Sequence, residues 1–186
     1  MKDEMSSIPG VTKGLKNETT TEKTARSSRG VFMETLESLV QKDKKIVLIV
    51  GDVGFSYMAE FQKKYPKQYI NAGITEQSFM GIAPGLAKSG FKPYVYSMVP
   101  FIIMRNYEQL RNDVCYGNEN VKLIGVRGSV HYRFQGMSHN LLEKENEEDL
   151  LKNLPNIQRF YPKDTDEVKD IILKTYQDTK PTFIRL

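Results

Sequence analysis

A carboxylate at the start of an apolar helix is the first group in this sequence that could move a proton. Glu76 stands in Asn71-Ala72-Gly73-Ile74-Thr75-Glu76-Gln77, behind a short strand-like run, Gln68-Tyr69-Ile70. Ahead of it, Phe79, Ile82, Ala83, Leu86 and Ala87 recur at a spacing that predicts a helix with one apolar face. The helix dipole favours a carboxylate in that first turn. Such a group is either an N-terminal cap, its commoner use, or a buried acid–base group. Gly81 and Gly85 interrupt the helix at a cost of about 1 kcal/mol each relative to alanine, which predicts close packing against another backbone. The other side chains suited to proton transfer are His131 and His139, which share the segment from Gly128 to Asn140. A histidine in a loop is ordinarily a solvated surface group.

The surrounding pattern says what must position these groups. A helix is predicted from about Glu22 to Lys42, with Val31, Phe32, Leu36, Leu39 and Val40 on one stripe. Ile46-Val47-Leu48-Ile49-Val50 is a continuous apolar run of strand length, the mark of a strand buried on both faces. Gly51-Asp52-Val53-Gly54-Phe55-Ser56 is then the loop at its carboxyl end, where ligands bind in open α/β sheets. A helix from about Tyr57 to Tyr65 stops before Pro66. Lys92 to Tyr96 reads as a strand. Pro100 starts a long helix that reaches about Tyr116, with Tyr107, Leu110 and Val114 on one face. Asn120 to Val126, Ile157 to Tyr161 and Pro181 to Leu186 read as further strands, and Glu145 to Asn153 as a short acidic helix. Asp164 and Glu167 resemble a capping box ahead of the last helix. The expected architecture is α/β: a largely parallel sheet of about six strands with helices on both faces.

The chain has 186 residues and 39% hydrophobic content, enough for one domain with its own core. Lys and Arg number 27 against 23 Asp and Glu, and the signs are interspersed, which argues against a nucleic-acid footprint. The single Cys115 excludes an intrachain disulfide, suits a cytoplasmic setting and is expected to be a buried, inert thiol. No run of about 18 apolar residues is present to span a membrane. Residues 1–29 are polar and are expected to be a disordered leader or a partner-binding arm, ahead of a domain over 30–186. No metal-ligand cluster is legible.

Several words together add a family. GITEQSFMGIAPGLAKSG, with GDVGFS upstream and SMVPFIIMRNYEQLRND downstream, resembles the pyrimidine-binding domain of the transketolase family, in order and with few gaps from about Val31 to Leu186. The resemblance implies thiamine diphosphate as cofactor, laid across two domains. One domain grips the diphosphate and Mg2+, and the type seen here holds the aminopyrimidine. The family's glutamate falls on Glu76, where it bonds a ring nitrogen and favours the tautomer that takes up the thiazolium proton. That role asks for a carboxyl sheltered from bulk water. The stacking phenylalanine falls on Phe101, and flanking aromatic positions fall on Met98 and Met104. Gly136-Met137-Ser138-His139 is similar to the family's G-x-[ST]-H word, which puts His139 on the substrate side. The resemblance places Ser56 near an acceptor phosphate, and His131 and Tyr132 in the same substrate loop. Gln135 stands where transketolases carry an aspartate that reads a substrate hydroxyl. Asp52 is expected to shape the cofactor-side loop rather than to do chemistry.

Besides Gln135, two further departures qualify the carry-over. The acidic pair after the histidine word arrives late, as Glu148-Asp149. The G-D-G…N word of diphosphate-binding domains is missing, since Val53 follows Gly51-Asp52. The resemblance therefore implies a diphosphate-binding partner subunit, in an α2β2 assembly, that holds Mg2+ and acts on a sugar or 2-oxoacid substrate. The beta-type subunit of a 2-oxoacid dehydrogenase and a non-catalytic assembly module of the same fold remain alternatives.

Overall fold

Short apolar runs become central strands here because both of their faces are covered. The computed structural model describes residues 27–127 and 130–186, and the side chains of Phe55 and of residues 130–133 lie outside that description. Residues 1–26, which hold most of the expected leader and the expected helix start at Glu22, are likewise outside it, while Ser27 to Arg29, also expected in the leader, cap and open the first helix. The first helix, α1 (Ser28–Val40), is capped by Ser27, whose Oγ accepts from the Gly30 N–H at 3.1 Å. There follow β1 (Ile46–Val50), α2 (Phe55–Lys64), β2 (Tyr69–Asn71), α3 (Glu76–Lys88) and β3 (Lys92–Met98). Past a broken helical region come β4 (Lys122–Val126), α5 (Glu147–Leu151), β5 (Gln158–Phe160), α6 (Thr165–Tyr176) and β6 (Thr182–Arg185).

The six strands pair in the order β2-β1-β3-β4-β6-β5, and every pairing is parallel. Alternation along each strand builds two cores. Val47, Ile49, Val95, Leu123 and Phe183 face α3, α5 and the broken helical region. Ile46, Leu48, Val50, Tyr94, Tyr96 and Ile124 face α1, α2 and α6. Cys115 is fully buried, and desolvation pushes its thiol up to about 12, so it is the inert group expected.

The structure differs from the sequence expectation at four points. The long helix after Pro100 is three pieces: a π-wound turn at Pro100–Met104, α4 (Tyr107–Gln109), and a second π-wound segment at Leu110–Tyr116. The break falls at Asn106, whose backbone leaves helical geometry (φ −131°, ψ 29°) because its side chain turns inward to bond to backbone carbonyls. Tyr107 consequently sits on the exposed side while Leu110 and Val114 are buried. Residues Val130–Ser138 form 3-10 turns rather than an open loop, kinked at Gly136. On α3, Ile82 is exposed, and a Cβ added at Gly81 or Gly85 would meet nothing within 4 Å, so the packing expected there is absent among the described residues. The capping box at α6 is half-formed. Asp164 accepts from the Glu167 N–H at 2.9 Å, but Glu167 reaches back to the Lys163 N–H at 2.8 Å.

Lys122 is a buried charge at the foot of β4. Its Nζ donates to the Asp178 and Lys180 carbonyls at 3.0 and 2.8 Å and to Thr182 Oγ1 at 3.3 Å. Desolvation nonetheless lowers its pKa from 10.5 to about 8. Between those values the unfolded chain holds a proton that the folded chain has lost, so stability falls as pH drops only down to the lower value and rises with pH across that window. At about 1.4 kcal/mol per unit the full rise is roughly 3 kcal/mol. Urea unfolding of wild type and Lys122→Met at a series of pH values is expected to show this rise in the first and not in the second.

Candidate functional site

The order of the strands opens a crevice. The chain leaves β1 for β2 on one side and returns to β3 on the other, so the loops after β1 and β3 diverge at their carboxyl ends. A cavity of about 550 Å³ lies there. Asp52, Gly54 and Ser56 line it from the β1 side, Met98 and Phe101 from the β3 side, and Gln135 and His139 from the turns after β4.

Three local features set the geometry. First, Gly51 ends β1 with no side chain, and a Cβ there would lie 2.7 Å from Phe79 Cε1. Its absence lets the first turn of α3 press against the β1 loop. Second, Asn71 Oδ1 accepts from the backbone N–H of both Asp52 (3.1 Å) and Gly73 (3.0 Å), tying the loop after β1 to the turn that enters α3. Asp52, held at φ 55°, accepts in return from Asn71 Nδ2 at 3.3 Å. It is part of the loop frame. Third, Asn106 is completely buried. Its Nδ2 donates to the carbonyl of Glu76 at 3.3 Å and to that of Phe101 at 3.0 Å, so one amide fixes the backbones of both candidate cofactor residues.

Glu76 is the first residue of α3, and only 7% of it is exposed. Its carboxylate does not cap the helix. It accepts from Arg105 Nη1 at 2.8 Å. The shelter that the cofactor role asks for is present, but so is a neighbouring cation, which the sequence reading missed. The same guanidinium lies over Phe101, with its carbon 3.7 Å from the ring centroid. His139 meets that ring edge-on at 4.8 Å between centroids, and its Nδ1 is 2.8 Å from Ser138 Oγ. The acid, the guanidinium, the ring and the histidine thus form one contiguous row.

Met98 is buried and lines the cavity with Phe101. Met104 is not brought to it: the π-wound turn carries its side chain to the surface, where 44% of it is exposed. Ser56 is exposed at the cavity rim. Gln135 lines the cavity with a buried Oε1 that has no hydrogen-bond partner among the described residues. The side chains of His131 and Tyr132 lie outside the described part. Arg29, Tyr57 and Tyr96 also line the cavity, and sequence reasoning missed all three. The position of Tyr96 near the carboxyl end of β3 was the available signal for it. Among the described residues no three His, Cys, Asp or Glu side chains are grouped to hold a metal ion, and no helix is long and apolar enough to cross a membrane.

The sequence and the fold are similar to those of known proteins. The family model described as the transketolase pyrimidine-binding domain matches residues 24–186. The chain is 32% identical over 159 residues to one of the subunits of the apulose-4-phosphate transketolase of Phocaeicola vulgatus, covering 85% of this chain and 50% of that protein. It is 33% identical over 157 residues to the corresponding protein from Actinobacillus succinogenes, covering 84% and 50%. Among solved structures, a split-gene transketolase described as an inactive beta4 tetramer superposes with a TM-score of 0.73 at 32% identity, covering 86% of this chain and 50% of that one. The chain spans about half the length of the curated relatives it matches first.

Asn106 gives the site its stability test. Asn106→Leu removes both donors and leaves two carbonyls without them in a dry setting. The expected loss is about 2–3 kcal/mol of unfolding free energy in urea. A loss within about 0.5 kcal/mol would mean that the two backbones are held by something else.

Proposed function

We propose that this chain, which belongs to the transketolase pyrimidine-binding domain family, is the pyrimidine-holding subunit of a two-component, thiamine-diphosphate-dependent transketolase. One observation carries the reading: the Glu76 carboxylate and the face of the Phe101 ring converge on a single planar N–H donor, the Arg105 guanidinium. A flat, nitrogen-bearing aromatic ring asks for the same pair of contacts, so the residues present fit an aminopyrimidine. When bound, thiamine diphosphate supplies a nucleophilic carbon that can accept and release a two-carbon ketol unit.

The chain's own residues divide the remaining work. Glu76 bonds the ring nitrogen and handles the proton that activation requires, from a position mostly closed to water. Phe101 and Met98 form the apolar wall. His139 approaches the open side of the cavity and bonds substrate hydroxyls. Gln135, whose buried Oε1 has no hydrogen-bond partner among the described residues, accepts from a further hydroxyl, as a site for a sugar-type substrate needs. Ser56, exposed at the cavity rim, meets the distal end of an acceptor.

We assign Mg2+ and the diphosphate to a partner subunit: Gly51-Asp52 runs into Val53 rather than a G-D-G…N word, and similar transketolases are divided into subunits. The surface around Glu76 supports such a partner. Ile74, Ile82, Met104 and Tyr107 are exposed on and beside the elements that carry Glu76 and Phe101. The assembly we infer is α2β2, with each site shared between unlike subunits, in the cytoplasm.

With the partner added, Glu76→Gln is expected to leave assembly intact by sedimentation and to lower turnover of a ketose-phosphate donor by about 10²–10⁴-fold. Wild-type turnover would remove Glu76 from the chemistry. Phe101→Ala is expected to weaken cofactor affinity about tenfold, or about 1.4 kcal/mol, in a direct titration. Unchanged affinity would count against stacking.

A further inference from the structure

Arg105 sits on both groups that the pyrimidine reading assigns to the cofactor ring. Its guanidinium covers one face of Phe101 at 3.7 Å, which is the separation of stacked planar groups, so a second flat ring cannot share that face. Its Nη1 engages the Glu76 oxygen at 2.8 Å, which takes up that oxygen's place for a ring N–H. A guanidinium is planar, rich in N–H donors and weakly hydrated, so it can satisfy a carboxylate and an aromatic face together. The side chain is nevertheless 39% exposed, against 7% for Glu76, so it is not locked into the core. It also borders a second hollow, of about 370 Å³, that lies along Ile74, Thr75, Gln77 and Ser78. Arg105 is the last residue before the break at Asn106, at the end of a π-wound turn where its N–H bonds to the Pro100 carbonyl at 3.2 Å. Such turns recur at functional sites.

We propose that Arg105 is a displaceable stopper of the pyrimidine half-site. In the free chain it stands in for the ring on Phe101 and Glu76. When cofactor and partner arrive it swings out over the second hollow. The stopper keeps a buried carboxylate paired and an apolar ring covered until the site is completed, and it sets a population cost on cofactor binding: apparent affinity falls by the fraction of chains that are open. The proposal rests on the pyrimidine reading of Glu76 and Phe101.

The test is calorimetric titration of thiamine diphosphate with Mg2+ into the assembled two-subunit complex, using wild type, Arg105→Ala, Arg105→Lys and Phe101→Ala. A second readout follows the side-chain 15N–1H signal of Arg105 in the free chain and in the saturated complex. Arg105→Ala is expected to tighten binding at least about tenfold, as for a stopper that closes nine chains in ten or more. Arg105→Lys should give a smaller gain, since an ammonium retains the charge on Glu76 but stacks poorly. The Arg105 signal, distinct in the free chain, should shift to a solvent-exposed position on saturation. Unchanged or weaker binding by Arg105→Ala, with Phe101→Ala still impaired, would overturn the stopper and leave the cofactor reading standing. Absence of binding by every protein including wild type would overturn the cofactor reading, and the stopper with it.

Discussion

The buried amide of Asn106 is the contact on which the rest of the site depends. Glu76 opens a helix that follows β2, and Phe101 sits in the turn after β3. The two segments share no strand and no sequence neighbourhood. One donor group bonds to both backbone carbonyls and so converts two independent loop ends into one fixed pair. Its cost is visible too. Asn106 leaves helical geometry, splits what would have been a continuous helix, and keeps a buried Oδ1 without a partner among the described residues. A fold that tolerates such a defect generally does so where a site needs it.

Around that clamp the sheet supplies the rest. Six parallel strands leave all their carboxyl ends on one side, and the change of direction between β1 and β3 opens the crevice there. Gly51 lets α3 approach by leaving space for Phe79, and Asn71 ties together the two loops that flank the entrance. The electrostatics follow from the same closeness. Glu76 is buried beside a half-exposed guanidinium, and the same guanidinium covers one face of Phe101.

Much of this was legible in the sequence, and for identifiable reasons. Buried parallel strands need apolar residues on both faces, so Ile46–Val50 could hardly be anything else, and helices that cover a sheet keep a clear stripe. Glu76 was legible as a carboxylate at a helix start, and Phe101 and His139 through the words around them. What stayed hidden depends on distance in the chain. The pairing of Arg105 with Glu76 spans 29 residues, and nothing local marks it. Asn106 reads as a helical residue until its side chain finds two carbonyls from elsewhere. Met104 fits a helical face at the usual winding, and the π-type turn carries it to the surface instead. Gly81 and Gly85 ask, by their type, for a neighbour within the chain, yet their outer side is open. Arg29 and Tyr57 join the cavity from α1 and α2 only through tertiary packing.

On the proposed reading, this chain supplies only the pyrimidine side of a shared thiamine diphosphate site. The most direct measurement is titration of thiamine diphosphate with Mg2+ into the wild-type chain alone and into the chain mixed with a transketolase-like partner that carries a G-D-G…N word. Saturable binding is expected in the mixture and none at comparable concentration in the chain alone. Tight binding by the isolated chain, or no binding by an assembled mixture, would contradict that reading.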